Sequence, residues 1–337
     1  VSIAGAFMRL TIEAKHETLP LAQTFAISRG AKTQADVVVV TVTNGEFTGW
    51  GESVPYARYG QSIEDTLNKI KCAKPAIKHI DDHRRLNAIL PACAARNALD
   101  CALWDLKSKI ENKPVAQLID LQEVKSCVTA QTVSVASTQE MQKNARALRN
   151  SELIKVKLDP DDVIEKVSAI HEVCPDSRFI IDANEGWSLS LLKEVAPQLA
   201  RLNVALIEQP LPADDDKGLT DYQCPVPLCA DESCHTTASL KQLVGKYQAI
   251  NIKLDKTGGL TEARSLMKAA RLYELDIMVG CMVASSLAMA PAYLLAGGAD
   301  YVDLDGPVLV AEDRQNGFII ENGIMKRPDS LLWGSGR

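Results

Sequence analysis

Five ionisable residues between positions 157 and 253 each follow directly on a short apolar run: Lys157, Asp182, Glu208, Asp231 and Lys253. Successive members stand 22 to 26 residues apart, about the length of one strand, one helix and their loops. The three carboxylates are hard oxygen ligands with no imidazole or thiolate among them. That set suits Mg²⁺, with Mn²⁺ as the alternative, and disfavours zinc. A lysine precedes the acids and another follows them, so an ammonium stands on either side of a metal-bound ligand. Removing a proton from the carbon next to a carboxylate creates a dianionic enediolate, which needs a cation on the oxygens and a base over the carbon. A lysine can be that base if neighbouring positive charge lowers its pKa. Two lysines on opposite faces can take a proton from one side and return it from the other, which is racemisation or epimerisation. A single strand-end acid is usually a helix cap or a solvated charge. Three of them in register with two lysines favour chemistry.

The elements between these residues must bring them together. Apolar runs at 127–133, 153–156, 178–181, 204–207, 226–229, 249–252, 276–279 and 301–302 alternate with amphipathic stretches. One such stretch, 260–273, carries Leu260, Ala263, Leu266, Met267 and Ala270 on one side, the spacing of a buried helical face. Eight strands separated by helices predict parallel βα units, and eight is the number that closes a barrel. An open doubly wound sheet is the alternative, but no Gly-rich phosphate turn follows an early strand. A polar residue ending a barrel strand faces the C-terminal mouth, so all five groups converge there. The N-terminal part reads differently. Residues 9–14 alternate, 37–42 form a β-branched run before the turn dipeptide Asn44-Gly45, and Leu99, Leu103, Leu106 and Ile110 recur at helical spacing. These features predict a small α+β domain.

The bulk of the sequence narrows the partners. Its 337 residues, 46% apolar and 24% charged, are those of an ordinary globular protein. The net charge of −6 offers no attractive field to nucleic acid or to an anionic membrane. A small molecule is the expected partner, and a homo-oligomer is left open. The nine cysteines are odd in number, without a signal peptide or a zinc-type C-x-x-C pair, which predicts a reducing cytoplasm. Met8 is the expected natural start, with residues 1–7 an extension.

The motifs KVK at 155–157, DANEGW at 182–187, IEQP at 207–210, ADES at 230–233 and NIKLDKTGGL at 251–260 resemble, in order and spacing, the signature of the muconate-lactonizing subgroup of the enolase superfamily. That resemblance implies an α/β fold, a (β/α)₇β modified TIM barrel under an α+β capping domain. Residues 1–122 would form the cap, 123–308 the barrel, and 309–337 a segment returning to the cap. It implies Lys157 and Lys253 as the acid/base pair, with Asp182, Glu208 and Asp231 on Mg²⁺. Lys155 is expected to tune Lys157 and meet the substrate carboxylate, with an inward structural lysine as the alternative. Asn184 and Glu232 are expected to orient the metal ligands from behind.

Substrate choice must come from other groups. Asp303-Leu304-Asp305, after the eighth strand, resembles the motif with which dipeptide epimerases hold the substrate's α-ammonium. Two carboxylates two residues apart face one way and call for a cation. Residues 20–40, with ISRG at 27–30, resemble the mobile loop of Ala-Glu epimerases, and Arg29 would offer its planar fork to a glutamate side chain. Residues 50–60, with Tyr56 and Tyr59, resemble the companion lid loop. Cys281 and Met282, at the seventh strand end, are expected at the pocket floor. Many subgroup members carry a glutamate where this chain has Ala284, which weighs against lactonizing chemistry.

The sequence thus predicts a Mg²⁺-dependent dipeptide epimerase that inverts the C-terminal residue of L-Ala-D/L-Glu, as in recycling of cell-wall peptides. The rivals are o-succinylbenzoate synthase, N-acylamino acid racemase and muconate cycloisomerase activity. A Schiff-base lysine lyase and a non-catalytic metal-binding relative are the more distant alternatives.

Overall fold

A computed structural model describes residues 10–327 and 332–336; the expected start at Met8 lies outside them. The chain opens with three antiparallel strands, β1 (Thr11–Ile27), β2 (Gly30–Thr43) and β3 (Thr48–Ser53). Every second residue of the apolar run in β2 buries against the helix Ala94–Glu111, through Val38, Val40 and Val42. That helix approaches β3 over Ala98 and Ala102. A Cβ on Gly51 would lie 2.1 Å from the Ala98 carbonyl oxygen, so only glycine allows the contact. The segment expected to be an irregular loop at 20–40 is mostly strand. Phe25 pairs with Lys32 and Ile27 with Gly30, after a register shift between Pro20 and Phe25, which makes Ser28 and Arg29 the tip of a long hairpin.

The run at 127–133 is two strands, not one. β4 (Ser126–Val128) joins β13 (Ile319–Glu321) and β14 (Ile324–Lys326) in a small antiparallel sheet, and β5 (Gln131–Val133) begins the barrel. The barrel continues through β6 (Leu153–Lys157), β7 (Arg178–Asp182), β8 (Val204–Glu208), β9 (Leu228–Ala230), β10 (Ala249–Ile252), β11 (Asp276–Gly280) and β12 (Tyr301–Asp303). Each pairs in parallel with the strand before it. The Ala130 N–H donates to the Val302 carbonyl at 2.8 Å and brings the first and last strands together. The eight strands form a nearly closed parallel barrel under an antiparallel-sheet cap.

Inside the barrel, Ala130, Leu153, Ile180, Leu206, Cys229, Ala249 and Met278 pack as one apolar layer. Side chains two residues apart on a strand share a face. The next positions on that face, from β6 to β10, are Lys155, Asp182, Glu208, Asp231 and Asn251. The alternation that builds the apolar floor therefore stacks a charged layer on it, at the C-terminal mouth.

Residues after the barrel return to the cap: Gly334 N–H donates to Asp105 Oδ1 at 2.8 Å and Trp333 Nε1 to the Trp50 carbonyl at 2.9 Å. Asp255, in the turn after β10, joins the two parts by accepting from Val54 N at 2.9 Å and Asn97 Nδ2 at 2.8 Å.

Candidate active site

Strand register brings the expected residues together. Lys157 is the register partner of Asp182, and Asp182 of Glu208, while Asp231 and Lys253 stand one position beyond β9 and β10. All five are buried. Lys155 lies among the acids, with Nζ 2.5 Å from Glu208 Oε2, 2.7 Å from Asp303 Oδ2 and 3.0 Å from Asp182 Oδ2. Lys157 Nζ stands 2.5 Å from Asp182 Oδ2, with the Phe25 ring of the hairpin 5.9 Å away. On the other side, Lys253 Nζ is 2.6 Å from Asp231 Oδ2 and 3.8 Å from Glu208 Oε1.

Two residues that the sequence argument passed over complete this layer. Lys256 Nζ donates to Asp231 Oδ1 at 2.5 Å and to the carbonyls of Asp231 and Asn251 at 2.5 and 2.9 Å. It leaves Oδ2 of Asp231 to Lys253. Asn251 Nδ2 donates to Glu208 Oε1 at 2.7 Å. A Cβ on Gly280 would lie 2.5 Å from Asn251 Oδ1, so the glycine on β11 makes room for that amide. The only sign of this in the sequence is that Asn251, Lys253, Asp255 and Lys256 put four polar residues among the six at 251–256.

Burial disfavours every charge in the layer, and the neighbours decide which are kept. Lys155, Lys157 and Lys253 overcome burial to hold Asp182 below the usual carboxylate range, and Lys253 and Lys256 do the same for Asp231. Glu208 goes the other way: burial and the nearby Asp182 push it up to about 8, against the pull of Lys155. Lys253, expected to have a lowered pKa, is raised well above the ordinary lysine value. Burial opposes its charge, but Asp231 and Glu208 face it at close range and prevail. Lys155 is raised by Asp182, Asp303 and Glu208 in the same way, also against burial.

The donor set fits a hard divalent cation in its chemistry. It consists of three buried carboxylates at the ends of consecutive strands, one of them, Glu208, pushed toward neutrality by burial and by Asp182. Among the described residues no three acid, thiol or imidazole side chains converge on one point. Asp182, Glu208 and Asp231 turn instead to Lys155, Lys157 and Lys253, and side-chain rotation would redirect them.

Above the mouth, Arg29 is spent on the protein itself. One terminal nitrogen donates to Glu232 Oε1 at 2.8 Å and to Tyr56 Oη at 3.2 Å, the other to the Asn184 carbonyl at 2.6 Å and Glu185 Oε2 at 3.0 Å. Glu185 also takes a two-pronged contact from Arg58, both arms 2.7 Å. The hairpin tip and the segment at 57–59 are thus latched to the loops after β7 and β9. Glu232, buried beside Asp231, is pushed up to about 7 by burial and that neighbour. Asn184 Oδ1 and Glu232 Oε2 are buried without hydrogen-bond partners.

Asp303 and Asp305 do not form the expected pair on one strand face. β12 ends at Asp303, and Asp305 precedes the short helix Gly306–Leu309, which its side chain does not cap; its Oδ2 accepts instead from Thr132 N at 2.7 Å. The two carboxylates remain close enough that burial and Asp303 push Asp305 up to about 7. Cys281 and Met282 follow β11, half-buried. Burial, then Asp303 and Asp305, raise the Cys281 thiol, which puts it beside the acidic pair.

A barrel mouth holding buried acids between lysines, with a hairpin of the cap reaching over it, stands where a barrel enzyme places its active site. The family follows from comparison. Residues 9–120 match the mandelate racemase / muconate lactonizing enzyme N-terminal domain and residues 140–335 the enolase C-terminal domain-like family. The chain belongs to the enolase superfamily. It is 50% identical over 301 residues to the N-acetyl-D-glutamate racemase of a Pseudoalteromonas species, covering 88% of this chain and 95% of the relative. It is 43% identical over 305 residues to the L-Ala-D/L-Glu epimerase of Escherichia coli K12, covering 90% and 95%. An enolase family member from Agrobacterium tumefaciens with homology to dipeptide epimerases, solved with sodium and L-Ala-L-Glu, superimposes with a TM-score of 0.94. Its identity is 43%, covering 96% of this chain and all of that one. A Methylococcus capsulatus dipeptide epimerase, solved with Mg and L-Arg-D-Lys, superimposes at 0.90 with 26% identity over 98% and 99%.

Proposed function

We propose that this isomerase inverts the α-carbon of a glutamate whose nitrogen carries an acyl group, with L-Ala-D/L-Glu as the substrate. The observation that carries this is the placement of Lys157 and Lys253 on opposite sides of Glu208. A substrate carboxylate above Glu208 has one lysine on each face of its α-carbon. Lys157 Nζ takes the proton from one epimer, and Lys253 Nζ delivers one to the far face; the return reaction exchanges their roles. Asp182, Glu208 and Asp231 would hold Mg²⁺, which would supply positive charge to the substrate carboxylate. Lys155 Nζ stands ready to share that carboxylate, and Lys256 and Asn251 hold Asp231 and Glu208 in position. The latched hairpin excludes water from Lys157.

The acidic pair Asp303 and Asp305 favours a free α-ammonium, hence a dipeptide. A second reading, an N-acetylated glutamate, draws on two observations. Asp303 is already neutralised by Lys155 and Asp305 is pushed up to about 7, so the pair repels an uncharged acetyl group less than two bare carboxylates would. The relative at 50% identity carries that activity in its name. Arg29 serves the lid in this arrangement, and it can read a glutamate side chain only by exchanging Glu185 or Glu232 for it.

The test is α-proton exchange in D₂O with Mg²⁺, comparing L-Ala-D-Glu, L-Ala-L-Glu and N-acetyl-D-glutamate by mass gain. A dipeptide kcat/KM at least tenfold above that of the acetylated compound supports the first reading, and the reverse supports the second. Equal inertness of all three, with EDTA-treated and Mg²⁺-loaded protein alike, would contradict both.

A further inference from the structure

On the flank of the molecule, away from the barrel mouth, a cavity of about 390 Å³ opens where the cap meets the helix Leu260–Leu272. None of its lining residues belongs to the site described above. Its walls carry Arg84, Arg264 and Lys268 and one carboxylate, Asp81, already paired with Lys107 at 2.5 Å, with His83, Thr261 and Trp104 between them. The chain as a whole is acidic, so three cations around one cavity run against its average.

The polar groups here are held but not used up. Asp100 Oδ1 accepts from His83 Nδ1 at 2.8 Å and from Thr261 Oγ1 at 2.6 Å, and Oδ2 accepts from Thr261 N at 2.9 Å. Trp104 Nε1 donates to Thr261 Oγ1 at 2.9 Å, and the Trp104 ring stacks on His83 with centroids 4.2 Å apart. These bonds fix the histidine ring and its tautomer. His83 is only 6% exposed, yet its Nε2 has no hydrogen-bond partner. Arg264 Nε is likewise buried and unpartnered, and its one ion pair is a long 3.9 Å contact to the exposed Asp120. A buried polar atom left unpaired costs on the order of 1–3 kcal/mol. Arg264 Nε–H is a donor and suits an anionic oxygen, whereas His83 Nε2, with Nδ1–H given to Asp100, is an acceptor and suits a hydroxyl on the same ligand.

We propose that this cavity is a second binding site, for a small organic oxyanion. Its charged group sits among Arg84, Arg264 and Lys268, and its apolar body lies against Trp104, Ile119 and Leu260. The volume is that of an ordinary small-molecule pocket. Binding there bridges the short helix His83–Ile89 and the long helix Ala94–Glu111 of the cap to a barrel helix.

Calorimetric titration of the Mg²⁺-loaded full chain with phenyl phosphate, benzoate and phenol tests this. The expected result is saturable binding of at least one anion, with a Kd of about 1 mM or tighter, and no comparable binding of phenol. The Arg264→Gln/Lys268→Gln variant, its folding checked by circular dichroism, should lose one equivalent of binding or bind it more than tenfold more weakly. Preference for phenyl phosphate assigns a phosphoester, and preference for benzoate a carboxylate. An unchanged isotherm in the variant, phenol binding as tightly as the anions, or no saturable binding of either anion would overturn the proposal.

Discussion

Lys155 Nζ lies 2.7 Å from Asp303 Oδ2, joining the second strand of the barrel to its last across the interior. The same ammonium also meets Asp182 and Glu208, so one buried cation bridges three acids.

Lys155→Met should therefore be costly to the fold. Removing one partner of a buried charge cluster leaves the others uncompensated, at about 3–5 kcal/mol. Urea unfolding of the metal-free protein should show a loss of that order. A loss under about 1 kcal/mol would mean that the acids are neutral or solvated in the folded chain.

Asp305→Asn tests the reading of the α-ammonium. A charge-assisted contact contributes about 1.5–3 kcal/mol, so kcat/KM for L-Ala-L-Glu should fall about ten- to a hundredfold. N-acetyl-D-glutamate, with no cation to lose, should be little affected. An equal fall on both would mean that Asp305 serves the barrel, through Thr132, and does not read the substrate.

Asp255 gives a pH dependence of stability. Burial pushes its carboxyl from the ordinary 3.8 up to about 6, against the hydrogen bonds from Val54 and Asn97. Between about pH 4 and 6 the folded chain holds a proton that the unfolded chain has released. The stability linked to this group is thus present below pH 4 and lost as pH rises to 6, by at most about 3 kcal/mol. Asp255→Asn keeps an oxygen for both donors and cannot ionise. Its denaturation midpoint should exceed that of the parent at pH 8 and converge with it near pH 4, whereas a constant difference across that range would refute the assignment.

The site was legible in the sequence because of how a barrel is made. Strands buried on both faces read as apolar runs, and the first charged residue after each run marks the mouth, which located Lys157, Asp182, Glu208, Asp231 and Lys253. What escaped depended on distant partners. β4 and β5 merged because no glycine, proline or charge interrupts 127–133, and only pairing with β14, nearly two hundred residues later, separates them. Lys256 was passed over because a single helical turn folds it back under Asp231, and a lysine there carries no periodic mark. Arg29 looked free because Glu185 and Glu232 approach it from loops far along the chain. Asp303 and Asp305 would share a strand face only on a longer strand; β12 ends at Asp303, two residues short.

The most direct test of the account is isotope exchange with Lys157→Ala and Lys253→Ala in D₂O, following each epimer of L-Ala-Glu separately. The account predicts that both variants lose net epimerisation while each still exchanges the α-proton of one epimer, and that the surviving epimer differs between them. Exchange surviving for the same epimer in both variants would contradict the assignment of one lysine to each face.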